Sequence, residues 1–240
     1  MRARAREIYV RQVRDFASRF YRASLAHGAR ASVMRVPIPE LNVSGGQGAG
    51  EGKTAEKKWE LIANTLPSGT ATALDVGSYT GFYELRLARA GVFTIAVEAN
   101  KDLLRLAQLA VNESGTEMVA TALMAVRPDN VDRLPPADVT LVLSVMHYWV
   151  EQSGWAVAET MLRTIWDRTA KVLYFETPNP CENSKMAPHL REMGSTVAEC
   201  ESFVRDMFGR MNGAHVELLA YLPTDFRGNE RRHLFKVSRA

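Results

Sequence analysis

Residues 71 to 100, ATALDVGSYTGFYELRLARAGVFTIAVEAN, constrain this chain more than any other stretch. A short apolar run, Ala73 to Val76, leads into a glycine-containing turn, Gly77 to Gly81. Residues Phe82 to Ala90 then read as a helix, and a second apolar run, Phe93 to Val97, ends in an acid, Glu98. Strand, glycine turn, helix, strand and acid in that order form a pocket for a nucleotide-type ligand at the carboxyl ends of parallel strands. A chain built on such a unit is an α/β protein whose sheet is covered on both faces.

The same alternation continues downstream. Asn100 is placed to cap a helix reaching Asn112 and stopping near Gly115. A third strand is expected near Met118 to Leu123, and a fourth, Val139 to Val145, follows Pro135 and Pro136. The fourth is continuously apolar, as a doubly covered parallel strand should be. A helix from Ser153 carries Val157, Met161, Leu162, Ile165 and Trp166, and a fifth strand, Val172 to Phe175, ends at Glu176. The polar residues after it, as far as 194, read as an irregular loop. Thr196 and Glu199 form a capping box for a helix closed by Gly213. No helix separates His215 to Tyr221 from His233 to Val237, so these two strands are expected to form an antiparallel hairpin. The predicted fold is a doubly wound, mostly parallel seven-stranded sheet with a C-terminal antiparallel hairpin, in one Rossmann-like domain of residues 55–240.

Residues 1–54 read as a separate N-terminal extension. The first 30 residues hold eight arginines against Glu7 and Asp15, although the whole chain carries only +3. Tyr9, Val13, Phe16 and Phe20 fall at helical spacing, so a solvated amphipathic helix is the favoured reading. A nucleic-acid-binding arm is the sharper alternative, and composition also allows a transit peptide. Five glycines crowd positions 45–52 ahead of Gly52-Lys53-Thr54, which resembles the end of a phosphate loop. The opening position of that motif is Gln47 rather than glycine, so a hinge or lid is the expected role. A helix from Thr54 to Leu66 then leads to the first strand. Two cysteines without pairing or ligand spacing, Cys181 and Cys200, suit a reducing, cytoplasmic compartment. No apolar run approaches ~18 residues, so no membrane span is expected. Cys181, Glu182 and His189 have irregular spacing, and no metal site is expected.

The glycine turn discriminates between ligands. Dinucleotide binding needs bare backbone at a middle glycine, and here that position is Tyr79. Asp75, two residues before Gly77, fits a different ligand. Asp75-Val-Gly77-Ser-Tyr-Thr-Gly81, the acid Glu98, five β/α units and a terminal hairpin together resemble the class I S-adenosylmethionine-dependent methyltransferases. The likeness covers about residues 55–240. Tyr79 departs from it, since many members carry a further glycine there. The resemblance implies S-adenosyl-L-methionine as cofactor, held by Asp75, Gly77, Ser78, Tyr79, Gly81, Glu98, Ala99 and Ser144. That cofactor has a sulfonium, an ammonium, a carboxylate and a ribose diol but no phosphate. Asp75 suits the ammonium, and Glu98 has two acceptor oxygens for two ribose hydroxyls.

Methyl transfer to a hydroxyl or protonated amine gains from a base at a strand carboxyl end, and His147 and Glu176 stand at two such ends. LSVMHYW around His147 and Arg232-His233-Leu234-Phe235 resemble a subset of the same family. Tyr148 and Trp149 suit packing around cofactor or acceptor. The Asn/Asp-Pro-Pro-aromatic tetrapeptide of amino-methyltransferases is absent after the fourth strand, and Asn179-Pro180 follows the fifth instead. The expected activity is O-methylation of a small-molecule or glycan-type acceptor. RNA methylation through the arginine-rich arm and a non-catalytic cofactor-binding scaffold are the alternatives.

Overall fold

The computed structural model describes residues 51–176, 187–223 and 231–239. The arginine-rich arm, the glycine tract up to residue 50, Asn179-Pro180 and Cys181 with Glu182 lie outside the described residues. Helix α1 is Glu51–Thr65, followed by β1 Thr72–Val76, α2 Phe82–Arg89, β2 Phe93–Glu98, α3 Lys101–Ser114 and β3 Val119–Leu123. Then come β4 Ala137–Leu143, α4 Met146–Ser153, α5 Trp155–Asp167, β5 Thr169–Glu176, α6 Val197–Gly209, β6 Ala214–Pro223 and β7 Arg231–Arg239. The seven strands form one sheet in the order β3-β2-β1-β4-β5-β7-β6. Pairings from β3 through β5 are parallel, and β7 runs antiparallel to both β5 and β6.

Strand order reverses between β1 and β4, which is where open α/β sheets leave a crevice for ligands. Alternation along the strands sorts even the continuously apolar ones. Ala73, Val139, Leu141, Val172 and Tyr174 pack with Ile62 of α1 and Leu87 of α2. Leu74, Val76, Val142, Leu173 and Phe175 pack with Trp149 of α4, Trp155 and Trp166 of α5, and Phe208 of α6. The same two-residue period carries Asp75, Glu98 and Glu176 to the α1/α2 side at the strand ends. Each face thus has its own core, and the acids cluster above only one of them.

Local signals behave as the sequence suggests at several ends. Asn100 Oδ1 accepts from the backbone of Asp102 and Leu103 at 2.9 and 3.3 Å, and Gly115 ends α3 with φ 68°. Thr196 and Glu199 make the reciprocal capping box of α6, although that helix stops at Gly209, before Gly213. Three regions differ from expectation. The fourth strand ends at Leu143, not Val145, because Ser144 adopts φ 59° and turns the chain directly into α4. Helix α4 occupies residues to which the sequence reading gave no element, and Gly154, φ 77°, separates it from α5. A short apolar run does not distinguish a strand from a buried helix turn. The loop expected to be irregular contains a 3₁₀ segment, Ala187–Met193, which buries Leu190 and Met193 and accepts from Trp155 Nε1 at His189 O, 3.1 Å.

The β1 turn meets the β4–α4 corner without spare room. Gly77 has φ 81°, and a Cβ placed there would lie 2.4 Å from Val145 Cγ2. Gly77→Ala should therefore destabilise the fold by roughly 2–4 kcal/mol, from left-handed strain plus overpacking. Urea unfolding of Gly77→Ala, Val145→Ala and the double variant reads this directly. A coupling of about 1 kcal/mol or more is expected between the two sites, and strict additivity would show that they do not touch.

Candidate active site

Two groups of polar side chains flank the switch point. The first surrounds the β1–α2 turn. Gly77 and Ser78 both donate their amides to Val97 O, at 2.7 and 3.1 Å, which ties the turn to β2. Glu98, 8% exposed, completes the tie: Oε2 accepts from Tyr79 N at 2.9 Å and Oε1 from Asn100 N at 2.8 Å. Tyr79 takes φ 57°, a conformation that favours glycine, which accounts for the glycine common at this position in the resembling family. The Glu98 bond helps to hold a bulky residue there. Gly81, φ 88°, starts α2 and packs on Ala107 of α3, where an added Cβ would come within 3.2 Å.

Beneath this turn the chain buries acceptors that it does not satisfy. Asp75 Oδ2, Ser78 Oγ, Thr80 Oγ1 and both carboxylate oxygens of Glu84 are enclosed and lack hydrogen-bond partners. Burial pushes Asp75 well above the ordinary carboxyl range, and the charges of Glu84 and Glu98 push it further. Burial likewise raises Glu84, to about 8, and Glu98 adds to the rise; the dipoles of its own amide, the Tyr83 amide and the Ser78 hydroxyl, which approach without closing a well-formed hydrogen bond, ease it. Glu84 went unassigned at the sequence level, although a signal existed. It shares a helix face with Leu87 and Ala88, at i, i+3 and i+4, and is an acid inside a buried stripe.

The second group lies at the ends of β4 and β5. Ser144 Oγ makes a short hydrogen bond to Glu176 Oε1 and accepts from Arg232 Nη1 at 2.9 Å. Lys58 Nζ lies 2.5 Å from Glu176 Oε2, and Arg232 Nη1 lies 3.6 Å from Oε1. Burial opposes ionisation of Glu176, but Lys58 and Arg232 outweigh it and hold the carboxyl below its usual range. His147 is buried next to this network and lies 4.0 Å, ring to ring, from the half-exposed Tyr148. Burial, helped by Arg232 and resisted by Glu176, lowers its pKa to about 3. Its Nδ1 has no partner.

The structure thus gathers Asp75, Gly77, Ser78, Tyr79 and Glu98 in one group, and Ser144, His147 and Glu176 in the other. Ala99 is exposed at the end of β2, next to Glu98. Lys58 had no sequence signal; its role depends on α1 crossing the end of β5. Exposed Leu123 pairs in register with Glu98 and lines a shallow groove with Lys101, Leu104 and Arg105. Among the described residues, no helix is long and apolar enough to cross a membrane.

No family model and no curated protein matches this sequence. Solved structures do. The kinase-methyltransferase WbdD aligns with TM-score 0.62 at 16% identity, over 76% of this chain and 38% of its own. The chain therefore spans well under half the length of WbdD. Magnesium protoporphyrin IX methyltransferase (ChlM) from Synechocystis PCC 6803, with bound SAM, aligns with TM-score 0.54 at 14% identity, over 78% of this chain and 79% of its own. Its form with bound SAH aligns with TM-score 0.55 at 16% identity, over 78% and 83%. The fold is that of the class I methyltransferases.

Stability should carry the mark of the buried imidazole. His147 stays neutral in the folded chain down to about pH 3, whereas an unfolded histidine titrates near ~6.5. Protons then favour the unfolded state below about pH 6.5, with a slope approaching about 1.4 kcal/mol per pH unit. His233, also lowered by burial, adds to this loss. Glu176 contributes in a more acid window: its stabilisation is present above its unfolded pKa and is lost as pH falls through the folded one. His147→Asn should lose less stability than the parent between about pH 6.5 and 5, measured by urea midpoints; identical profiles would place the imidazole in water.

Proposed function

We propose that this chain is an S-adenosyl-L-methionine-dependent methyltransferase that methylates a hydroxyl of a small-molecule or glycan-type acceptor. The observation that carries this reading is the pairing of Asp75 and Glu98 around a glycine turn at the switch point of the sheet. Binding of SAM and SAH by ChlM, which shares the fold, supports the choice of cofactor. The residues fit that molecule in kind. Asp75 Oδ2 is enclosed and unpartnered, as an acceptor awaiting a cation would be. Each Glu98 oxygen uses one lone pair on a backbone amide and keeps another for a ribose hydroxyl. Exposed Leu123, in register with Glu98, offers an apolar contact for adenine.

When bound, the cofactor supplies an activated methyl group on a sulfonium, so alignment with the acceptor is the main demand on the protein. The chain meets that demand by fixing the turn rigidly. Gly77, Ser78, Tyr79 and Gly81 shape the approach to the methionine part, and Ser144 closes it from the β4 side. Glu176 anchors this second wall. Its oxygens are already committed to Ser144, Lys58 and Arg232, so its role is to orient Ser144 and Arg232 rather than to take a proton. His147 is the proposed proton acceptor. Its imidazole is neutral at physiological pH; burial and Arg232 hold it a weak base in this state, and Glu176 is the neighbour that favours its charged form. Exposed Tyr148 beside it offers an aromatic surface to the acceptor.

Glu98→Ala should weaken cofactor affinity at least about tenfold by calorimetry, as expected for loss of charge-assisted bonds of roughly 1.5–3 kcal/mol. Unchanged affinity would remove Glu98 from the ribose. His147→Ala should leave cofactor affinity intact and lower turnover by about 10²-fold or more; near-parental turnover at saturating cofactor would assign the histidine to packing. The acceptor itself is found by incubating cell extract with methyl-labelled cofactor and identifying the labelled products by mass spectrometry. A chain that binds the cofactor yet labels nothing in broad acceptor pools would instead be a scaffold.

A further inference from the structure

We propose that Glu84 is a third acid of the donor site, set with Asp75 against the cationic methionine end, and that the pocket releases a proton to solvent as the donor binds. This deepens the methyl-donor reading and rests on it. Three observations lead to it. Glu84 is fully buried, and neither of its carboxylate oxygens has a partner. Enclosed with it and equally unpartnered are Asp75 Oδ2, Ser78 Oγ and Thr80 Oγ1, on residues 1–4% exposed. A buried carboxyl left without bonds is costly, so such a concentration of acceptors is expected where a ligand completes them.

The charges around Glu84 define that ligand. From β1 it faces Asp75, and from β2 it faces Glu98, both acids. Helix α3 meets the turn with Ala107, and β3 carries no charged side chain. On α2 itself Arg86 lies over the Phe82 ring and pairs with Glu56 of α1. Among the described residues, no cation is one of the groups that shift Glu84 or Asp75. No group of three His, Cys, Asp or Glu among the described residues is arranged to hold a metal ion. The site therefore calls for an organic cation, and the methyl donor carries two positive groups, the ammonium and the sulfonium.

Asp75 and Glu84, buried together, cannot both be ionised without a counter-charge. Without the donor, the Asp75–Glu84 pair retains a proton, in line with the upward shift that burial and neighbouring acids impose on both groups. When the donor enters, its ammonium takes over as the positive charge, the carboxylic acid ionises, and its proton passes to water. No bond of the donor changes. The sign follows by linkage: a group that loses a proton on binding makes affinity rise with pH. In the acid range, where the donor's own amine stays protonated, Kd should tighten by close to tenfold per pH unit for about one proton released.

Calorimetry tests this without any turnover. Donor binding is titrated near pH 6.5 in two buffers of different ionisation enthalpy, and the difference in heat counts the protons. About one proton per donor is expected for the parent chain. Glu84→Gln should release less than half as much and bind the donor at least about tenfold more weakly at pH 7. 5′-Methylthioadenosine, which lacks the amino-acid part, should bind the parent chain with no buffer-dependent heat. Donor binding without proton release overturns the inference and leaves the donor reading intact. Equal proton release by the thionucleoside, or a Glu84→Gln variant unchanged in both measures, also overturns it. Absence of donor binding removes the donor reading together with the inference. If Glu84→Gln does not fold, the two buffers and two ligands on the parent chain still decide.

Discussion

Glu98 holds the site together. One carboxylate at the end of β2 takes the amide of Tyr79 with one oxygen and the amide of Asn100 with the other. The first bond pins a left-handed turn whose central residue is a tyrosine. The second fixes the residue whose side chain caps α3. Val97, one residue earlier, accepts from Gly77 and Ser78. The last two residues of β2 therefore set the shape of the turn, the start of the next helix and the enclosure in which Asp75 and Glu84 lie. Charged acceptors bond more strongly than neutral ones, and a single carboxylate can serve two backbone donors while keeping lone pairs for a ligand.

The two sides of the switch point handle charge in opposite ways. Around the β1 turn, Asp75, Glu84 and Glu98 lie close together, and no cation among the described residues neutralises Asp75 or Glu84. At the ends of β4 and β5, Glu176 is saturated by Ser144, Lys58 and Arg232. The first arrangement stores electrostatic cost that a cationic ligand would relieve. The second is already relieved, so it acts as scaffold: removing one partner would leave the other charge buried and alone. The wall between them is narrow, because Gly77 meets Val145 with no room for a Cβ. Positioning at this seam is the kind of help a methyl transfer needs, since its donor arrives activated.

Much of this was legible beforehand, and the reasons are local. Asp75, Gly77, Gly81 and Glu98 announce themselves because a turn between a buried strand and a helix admits few residue types. Asn100, and Thr196 with Glu199, announce helix starts because capping is a short-range bond between a side chain and the backbone a few residues on. The expected seven-stranded sheet with a terminal hairpin agrees with the observed order. Helix α4 was hidden because no side chain caps its start, which follows the apolar strand directly. The left-handed conformation of Ser144 ends β4 and turns the chain into this helix.

The sequence by itself determined the alternation of strands and helices, the turn and its acids, because periodicity, capping and backbone freedom act within a few residues. Tertiary structure alone decided what each acid does. Asp75 and Glu176 look alike as acids at the ends of apolar strands. Folding brings Lys58 from 118 positions away and Arg232 from 56 positions away to Glu176, while the described charges that act on Asp75 are the acids Glu84 and Glu98. The ionisation of a carboxyl depends on burial and on the charges within a few ångströms, and neither is a property of its neighbours in the chain.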